Sequence, residues 1–377
     1  MMGDVEAETV AGYVSRNAFT SVMERALRES EMLVIYGLMQ DADLTDSALA
    51  HRFGMKESTV SSIRRRLLDS RHIYFTNVPS FHKLGCHVLI QLYGSTNPAV
   101  PKDAKDSSHL RFLDRTPEVF DSASGEGFVM MSGVYRRFSD YLLALDRYDS
   151  DFAGVHSVER ADLRAAFFPF EISRVCYAYN FAPALHRIFG LDVPPPEPNR
   201  PRHFDVEPAE LSTMEKRALV HLCDYPHSTD SQIAQLMGRS RQTVTNVRKR
   251  LEKKGMFTRR CIIPLVQWNI QLIAYVHLRF RPDIEDSVRW QLSNSDWINL
   301  SWYTLERASE AHTTYMFRDY RDYLSEMQRM MKPLMESGVL RGDPQISLVS
   351  TTAAKELRDG HYGPMVRKLV GIGDEVP

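Results

Sequence analysis

With 377 residues, 43% hydrophobic and 25% charged, the chain is long enough for two or three domains with their own cores, which excludes a mini-protein or a disordered tail. It has no run of roughly 18 to 20 uncharged apolar residues, and its start (MMGDVEAETVAGYVSRNAF) lacks a basic-then-apolar leader, so no membrane partner and a cytoplasmic location are expected. The balance of 47 basic against 48 acidic residues excludes a chain that is basic throughout, so any nucleic-acid contact has to come from local patches.

The chain repeats itself. Thr45–Leu67 (TDSALAHRFGMKESTVSSIRRRL) and Thr229–Leu251 (TDSQIAQLMGRSRQTVTNVRKRL) match without a gap at an offset of 184. Downstream, Phe138–Leu142 answers Tyr320–Leu324, and Asn180–Leu191 answers His361–Ile372. The spacing predicts an N-terminal extension over 1–27, helical units over 28–80 and 209–264, strand-rich units over 81–191 and 265–377, and a proline-rich, semi-rigid spacer over 192–208.

In the first half, a helix from about Lys56 turns Val60, Ile63 and Leu67 inward and Glu57, Ser58, Ser61, Ser62 and Arg65 outward. Lys56 stands where a capping hydroxyl is preferred, and Thr59 and Arg64 flank the outward row. An apolar strand follows at Cys86–Gly94. ASGEG at Ala123–Gly127 reads as a turn between strands and not as a phosphate loop. Phe167, Phe168, Phe170, Tyr177, Tyr179 and Phe181 form an aromatic cluster read as packing.

In the second half, Ser212 and Glu215 have capping-box spacing, Thr229 opens the next helix, Gly238 permits a left-handed turn, and Ser240 caps a helix from about Arg241 to Lys254. Val244, Val247 and Leu251 face inward, leaving Arg241, Gln242, Thr245, Asn246 and Lys249 outward. From Arg239 to Lys254, seven basic residues stand against Glu252 alone. Two short helices joined by a glycine turn, with amides, hydroxyls and cations on the second, form the pattern of a helix-turn-helix; an ordinary bundle with a solvated basic face is the competing reading. Met256–Ile263 then supplies a β-hairpin or wing carrying Arg259 and Arg260.

Double-stranded DNA is accordingly the expected partner. Arg239, Ser240, Thr243 and Arg248 join the outward residues as candidate contacts, with Lys56, Ser58, Thr59, Ser61, Ser62, Arg64 and Arg65 as the weaker set. Beyond the wing the order is β-α-β-β-α-β, with a strand at Ile270–Phe280, a helix near Ile284–Leu292, strands near Leu300–Leu305 and His312–Phe317, a helix at Tyr320–Met335 and a strand at Gln345–Val349. Short helices at Pro183–Phe189 and Pro364–Val370 end the halves. The fold class expected is α+β, a tandem repeat of a winged helix-turn-helix and a ferredoxin-like sandwich.

This order, with the T-D-x-x-(Leu/Ile)-A…G…T-V…R-x-R-L pattern in both halves, resembles the Lrp/AsnC (feast/famine) transcription regulators; the tandem arrangement looks more archaeal than bacterial. The resemblance implies a small-molecule effector held between paired sandwich domains, and an intramolecular pseudo-dimer or a homodimer that sets two reading helices roughly 34 Å apart. The leading reading is therefore a sequence-specific regulator that is not an enzyme and has no cofactor.

Some proteins similar to this family resemble siroheme decarboxylases, whose sandwich domains hold an acidic tetrapyrrole. That chemistry needs cationic or imidazole groups converging on carboxylates, and no linear His-Asn-Tyr-x-Arg-type stretch is present. A winged-helix scaffold that binds protein is a third reading. Histidines occur singly and read as structural. Cys86, Cys176, Cys223 and Cys261 lack C-x-x-C spacing and read as buried hydrophobes, and Met327, Met330, Met331 and Met335 read as a buried stripe or subunit contact. Trp268, Trp290, Trp297 and Trp302 make fluorescence a reporter of the second half.

Overall fold

The computed structural model describes residues 27–125, 127–153, 163–196, 202–285, 287–288, 301–358 and 360–373. All but Leu27 of the expected extension, Trp290, Trp297, the side chains of Cys176 and Tyr177, and most of the helix expected near Ile284–Leu292 lie outside the described residues.

Each half opens with three helices: α1 (Glu29–Gln40), α2 (Asp46–Phe53) and α3 (Glu57–Asp69) in the first, then α7 (Thr213–Asp224), α8 (Asp230–Leu236) and α9 (Arg241–Lys253) in the second. Their ends follow from the sequence. Thr45, Thr229 and Ser240 accept hydrogen bonds from backbone amides three residues on, and Ser212 forms a reciprocal box with Glu215. Lys56 provides no side-chain cap. Gly54 and Gly238, at φ 65° and 60°, make the turn into α3 and α9 in a region closed to most side chains. Val60, Ile63 and Leu67, and likewise Val244, Val247 and Leu251, are buried; such side chains contribute roughly 1.5–3 kcal/mol each.

The wing is where structure and expectation part. Phe257–Ile262 is a single strand, β8, and it pairs antiparallel with Tyr74–Pro79, β1, of the other half. Each strand finds its donors and acceptors on the other, so no local hairpin forms. Trp268, in the turn after β8, donates through its indole N–H to the His72 carbonyl at 3.2 Å and is thus a reporter of the junction between halves.

The remainder is mixed α+β with antiparallel sheets. In the first half come β2 (Val88–Ser95), α4 (Lys102–Arg115), β3 (Val119–Ser124), β4 (Phe128–Tyr135), α5 (Phe138–Phe152), β5 (Leu163–Pro169), β6 (Arg174–Ala178) and α6 (Ala182–Phe189), with the small strand β7 (Arg202–His203) beyond. In the second come β9 (Leu272–Arg279), β10 (Ser301–Arg307), β11 (Glu310–Phe317), α10 (Tyr320–Glu336), β12 (Gln345–Ser350), β13 (Lys355–Arg358) and α11 (Gly363–Val370). Four strands of each sheet share one order, β3-β4-β2-β5 and β10-β11-β9-β12. The short strand that follows crosses over. β6 of the first half pairs with β10 of the second, and β13 of the second pairs with β3 of the first.

The two sheets face each other, and Phe128 and Tyr275 stack across the gap at 5.5 Å between ring centroids. Phe168, Phe170 and Phe181 are buried, as the packing reading expects. Of the methionine row, Met327, Met330 and Met331 are buried but Met335 is 55% exposed, because Leu334 takes the inward place one residue earlier. The linker is docked at its start: Tyr36 donates to the Pro194 carbonyl at 3.0 Å, and His186 Nε2 lies 2.7 Å from the Val193 carbonyl.

Candidate functional site

Two surfaces carry chemistry. The first is the face of α9. Arg239, Ser240, Arg241, Gln242, Asn246 and Lys249 are exposed there, and Gln242 Nε2 donates to Asn246 Oδ1 at 3.2 Å, which aligns the two amides. Thr243, Thr245 and Arg248 are half-buried. Arg248 Nε lies 2.7 Å from Asp230 Oδ1, and Thr245 donates to the other oxygen at 2.7 Å, so both are turned toward α8. Arg64 makes the same pair with Asp46 at 2.8 Å. The repeated Thr-Asp…Arg pattern is therefore a brace between consecutive helices.

Lys254 and Arg250 are drawn to Glu215 at 2.9 and 3.6 Å. Arg239, Arg241, Lys249 and Lys253 remain without an ion pair among the described residues. Arg259 and Arg260 are half-buried on β8; Arg259 lies over the Phe75 ring at 4.4 Å and 3.6 Å from Asp43, so it faces the other half. On α3, Lys56, Ser58, Thr59, Ser62 and Arg65 are exposed and Ser61 is half-buried. Ser62 spends its hydroxyl on the Ser58 carbonyl at 2.9 Å.

The second surface is interior and went unread in the sequence. Strand alternation places Gln91 and Tyr93 of β2, Tyr275 and His277 of β9, Met130 and Ser132 of β4, and Glu310, His312 and Thr314 of β11 on the facing sides of the sheets. Tyr93 OH lies 2.7 Å from His277 Nδ1 and 3.1 Å from Gln345 Oε1. The other nitrogen, His277 Nε2, is 2.8 Å from Glu310 Oε2, and Arg307 Nη2 reaches Glu310 Oε1 at 2.7 Å. The result is a buried phenol–imidazole–carboxylate–guanidinium chain drawn from both halves.

Electrostatics sort these groups. Burial pushes the Tyr93 phenol up to about 12, against the pull of Arg164 and Arg279. At Glu310 burial disfavours charge, but the hydrogen bonds from His277 and Arg307 outweigh it and hold the carboxyl below its usual range. Burial pulls His312 down to about 3, helped by its neighbour His277, so it is neutral; neither ring nitrogen has a hydrogen-bond partner among the described residues. The imidazoles of His277 and His312 lie 6.2 Å apart. Their strands are in register, His312 opposite His277, which is how two histidines that are single in the sequence meet.

A narrow cavity of about 10 Å³ is lined by Gln91, Asp121, Ser132, Tyr179, Trp302 and Tyr303, among others. Burial, with Asp121 adding to it, raises the Tyr303 phenol. Tyr179 sits at φ 54°, a conformation that strains a bulky residue by roughly 1–3 kcal/mol, held by ring contacts to Trp302 and Tyr303 at 5.6 and 5.2 Å. Among the described residues no cluster of side chains is arranged to hold a metal ion.

No family model and no curated protein matches the chain. Solved structures resemble it in fold only. The crystal structure of the siroheme decarboxylase NirDL matches 90% of this chain and 98% of its own at 11% identity and a TM-score of 0.47. The same enzyme with an iron-uroporphyrin III analogue matches at 10% identity and a TM-score of 0.48, over 90% of this chain and 99% of its own. Escherichia coli AsnC matches 38% of this chain and 92% of its own, at 18% identity and a TM-score of 0.30.

The expectation of a chain that is not an enzyme is corrected by these comparisons: the neighbours that span nearly its whole length are an enzyme, and the regulators match little more than a third of it. No helix among the described residues is long and apolar enough to cross a membrane.

Proposed function

We propose that the chain is an enzyme acting on a carboxylate-rich tetrapyrrole, with the buried group between the sheets as its reacting site. The observation that carries this reading is the convergence of His277, Glu310, Arg307 and Tyr93 from four strands and both halves. No linear motif was needed, because strand register supplies the convergence that the chemistry requires. Arg164 and Arg279, exposed and near Tyr93, add cations at the edge of the same face, suited to the carboxylates of such a substrate.

In this reading the tandem architecture, a winged helix-turn-helix and a ferredoxin-like unit repeated, serves as scaffold. The paired wings join the halves, and three of the seven cations on and beside α9 are held by acids of the protein itself. The interior space, about 10 Å³, is far smaller than the roughly 300–1,000 Å³ of pockets that hold organic ligands, so binding has to part the sheets and is expected to alter the emission of Trp302.

The test is incubation with siroheme and with its iron-free form, following bound absorbance and loss of carbon dioxide by mass spectrometry. Turnover falling about 100-fold or more in His277→Gln and in Glu310→Gln supports the assignment; protein that neither binds nor alters either compound overturns it.

A second reading rests on the exposed Arg239, Arg241, Gln242, Asn246, Lys249 and Lys253: α9 reads duplex DNA through its amides while the cations hold phosphates. It expects selection from random duplexes to enrich one motif with unequal half-sites. Alanine at Arg241 or Gln242 then weakens binding by about 1–3 kcal/mol, more than alanine at Ser58 or Ser62 does. Selection that enriches no motif removes this reading.

A further inference from the structure

At two places, residues 184 apart face each other. In the paired wings Thr76 stands opposite Arg260, and between the sheets Tyr93 meets His277. The reciprocal crossing, in which β6 pairs with β10 and β13 with β3, relates the halves in the same two-way manner. Two such meeting points define an internal twofold axis, and the Tyr93–His277 contact lies on it. Two identical subunits related by such an axis would set equal side chains against each other there. A single chain is free of that constraint, and here a phenol faces an imidazole. The neighbours differ in the same way: the strand places of His312 and Glu310 are held in the first half by Met130 and Phe128.

We infer that the molecule has one proton-transfer site on this axis, with His277 as the exchanging group and Tyr93 as its positioning residue. The inference rests on the enzyme reading and on the equivalence of the halves. With both ring nitrogens protonated, His277 donates through Nε2 to Glu310 and through Nδ1 to Tyr93, whose hydroxyl donates to Gln345. With Nδ1 bare, the Tyr93 hydroxyl turns and donates to it. Rotation of one hydroxyl thus accompanies each proton gained or lost at Nδ1. The groups that face this pair are Glu310 and His312 on β11, Arg307 on β10, Gln345 on β12, Arg164 on β5 and Arg279 on His277's own strand.

The experiment is ¹⁵N NMR of histidine-labelled full-length protein, titrated with acid in the wild type, Tyr93→Phe and Gln345→Leu, alongside the pH profile of turnover. Expected is a His277 midpoint displaced by roughly half a unit or more in both variants, with the limb of the pH profile moving by the same amount. The site is expected to take one tetrapyrrole per chain. A His277 midpoint unmoved in both variants, or two equivalents of substrate bound per chain, overturns the inference. Failure of the enzyme reading looks different: wild-type protein binds no tetrapyrrole while the histidine midpoints still shift.

Discussion

The carboxylate of Asp230 receives Thr245 on one oxygen and Arg248 on the other. The helical wheel sends Thr245 outward and the sequence groups Arg248 with the candidate DNA contacts, and their lesson is that a side chain's direction is decided by its partner as much as by its position. Arg248→Ala is expected to lower the unfolding free energy by about 1.5–3 kcal/mol, while Arg241→Ala, at an exposed place with no ion pair, stays within about 0.5 kcal/mol; urea unfolding measures both. His109 and His312 are held by burial at about 4 and about 3, below the usual 6.5. As the pH falls below that value the unfolded chain takes up protons that these two refuse. Their contribution is therefore complete above about pH 7 and is lost as the pH falls to about 4 for His109 and about 3 for His312, by at most about 1.4 kcal/mol per pH unit for each. His312→Asn should flatten the slope of stability against pH by up to one proton. An unchanged slope means that His312 is protonated in the fold.

Arg358 on β13 reaches back into the other half, donating to the carbonyls of Thr116, Val119 and Leu113 at 3.2, 2.7 and 2.7 Å. Two of these close the C-terminus of α4, where a helix leaves carbonyls open and favours a cation. Arg358→Ala should cost about 2–4 kcal/mol and raise amide exchange first in α4 and β3. Part of the fold was legible: the caps Ser212, Thr229 and Ser240, the turn at Gly238 and the inward stripes marked the opening helices of the second half and the helix from about Lys56 in the first, while α1 and α2 were given no range of their own. What could not be read was where short strands go. RVCYA and KELR are too short and too polar to announce a buried sheet position, and nothing local in a sequence names the strand that will sit beside it. The buried histidine group was hidden for the same reason, since His277 and His312 become neighbours only when β9 and β11 are set in register.

At the scale of the molecule, the β1–β8 pair and the exchanged strands join the two halves. Cutting the chain between residues 197 and 201 and coexpressing the pieces should return a complex that copurifies, whereas either piece alone should aggregate; two soluble monomeric halves would contradict this. The exchange also fixes an order of events during synthesis. β3 is made early but its neighbour β13 is made after every other described strand, so a nascent chain carries the outer edge of its first sheet bare until nearly all of the second half has emerged. An open strand edge invites pairing with other chains. Slow or stalled translation of the second half should therefore be more harmful to this protein than an equal delay in the first.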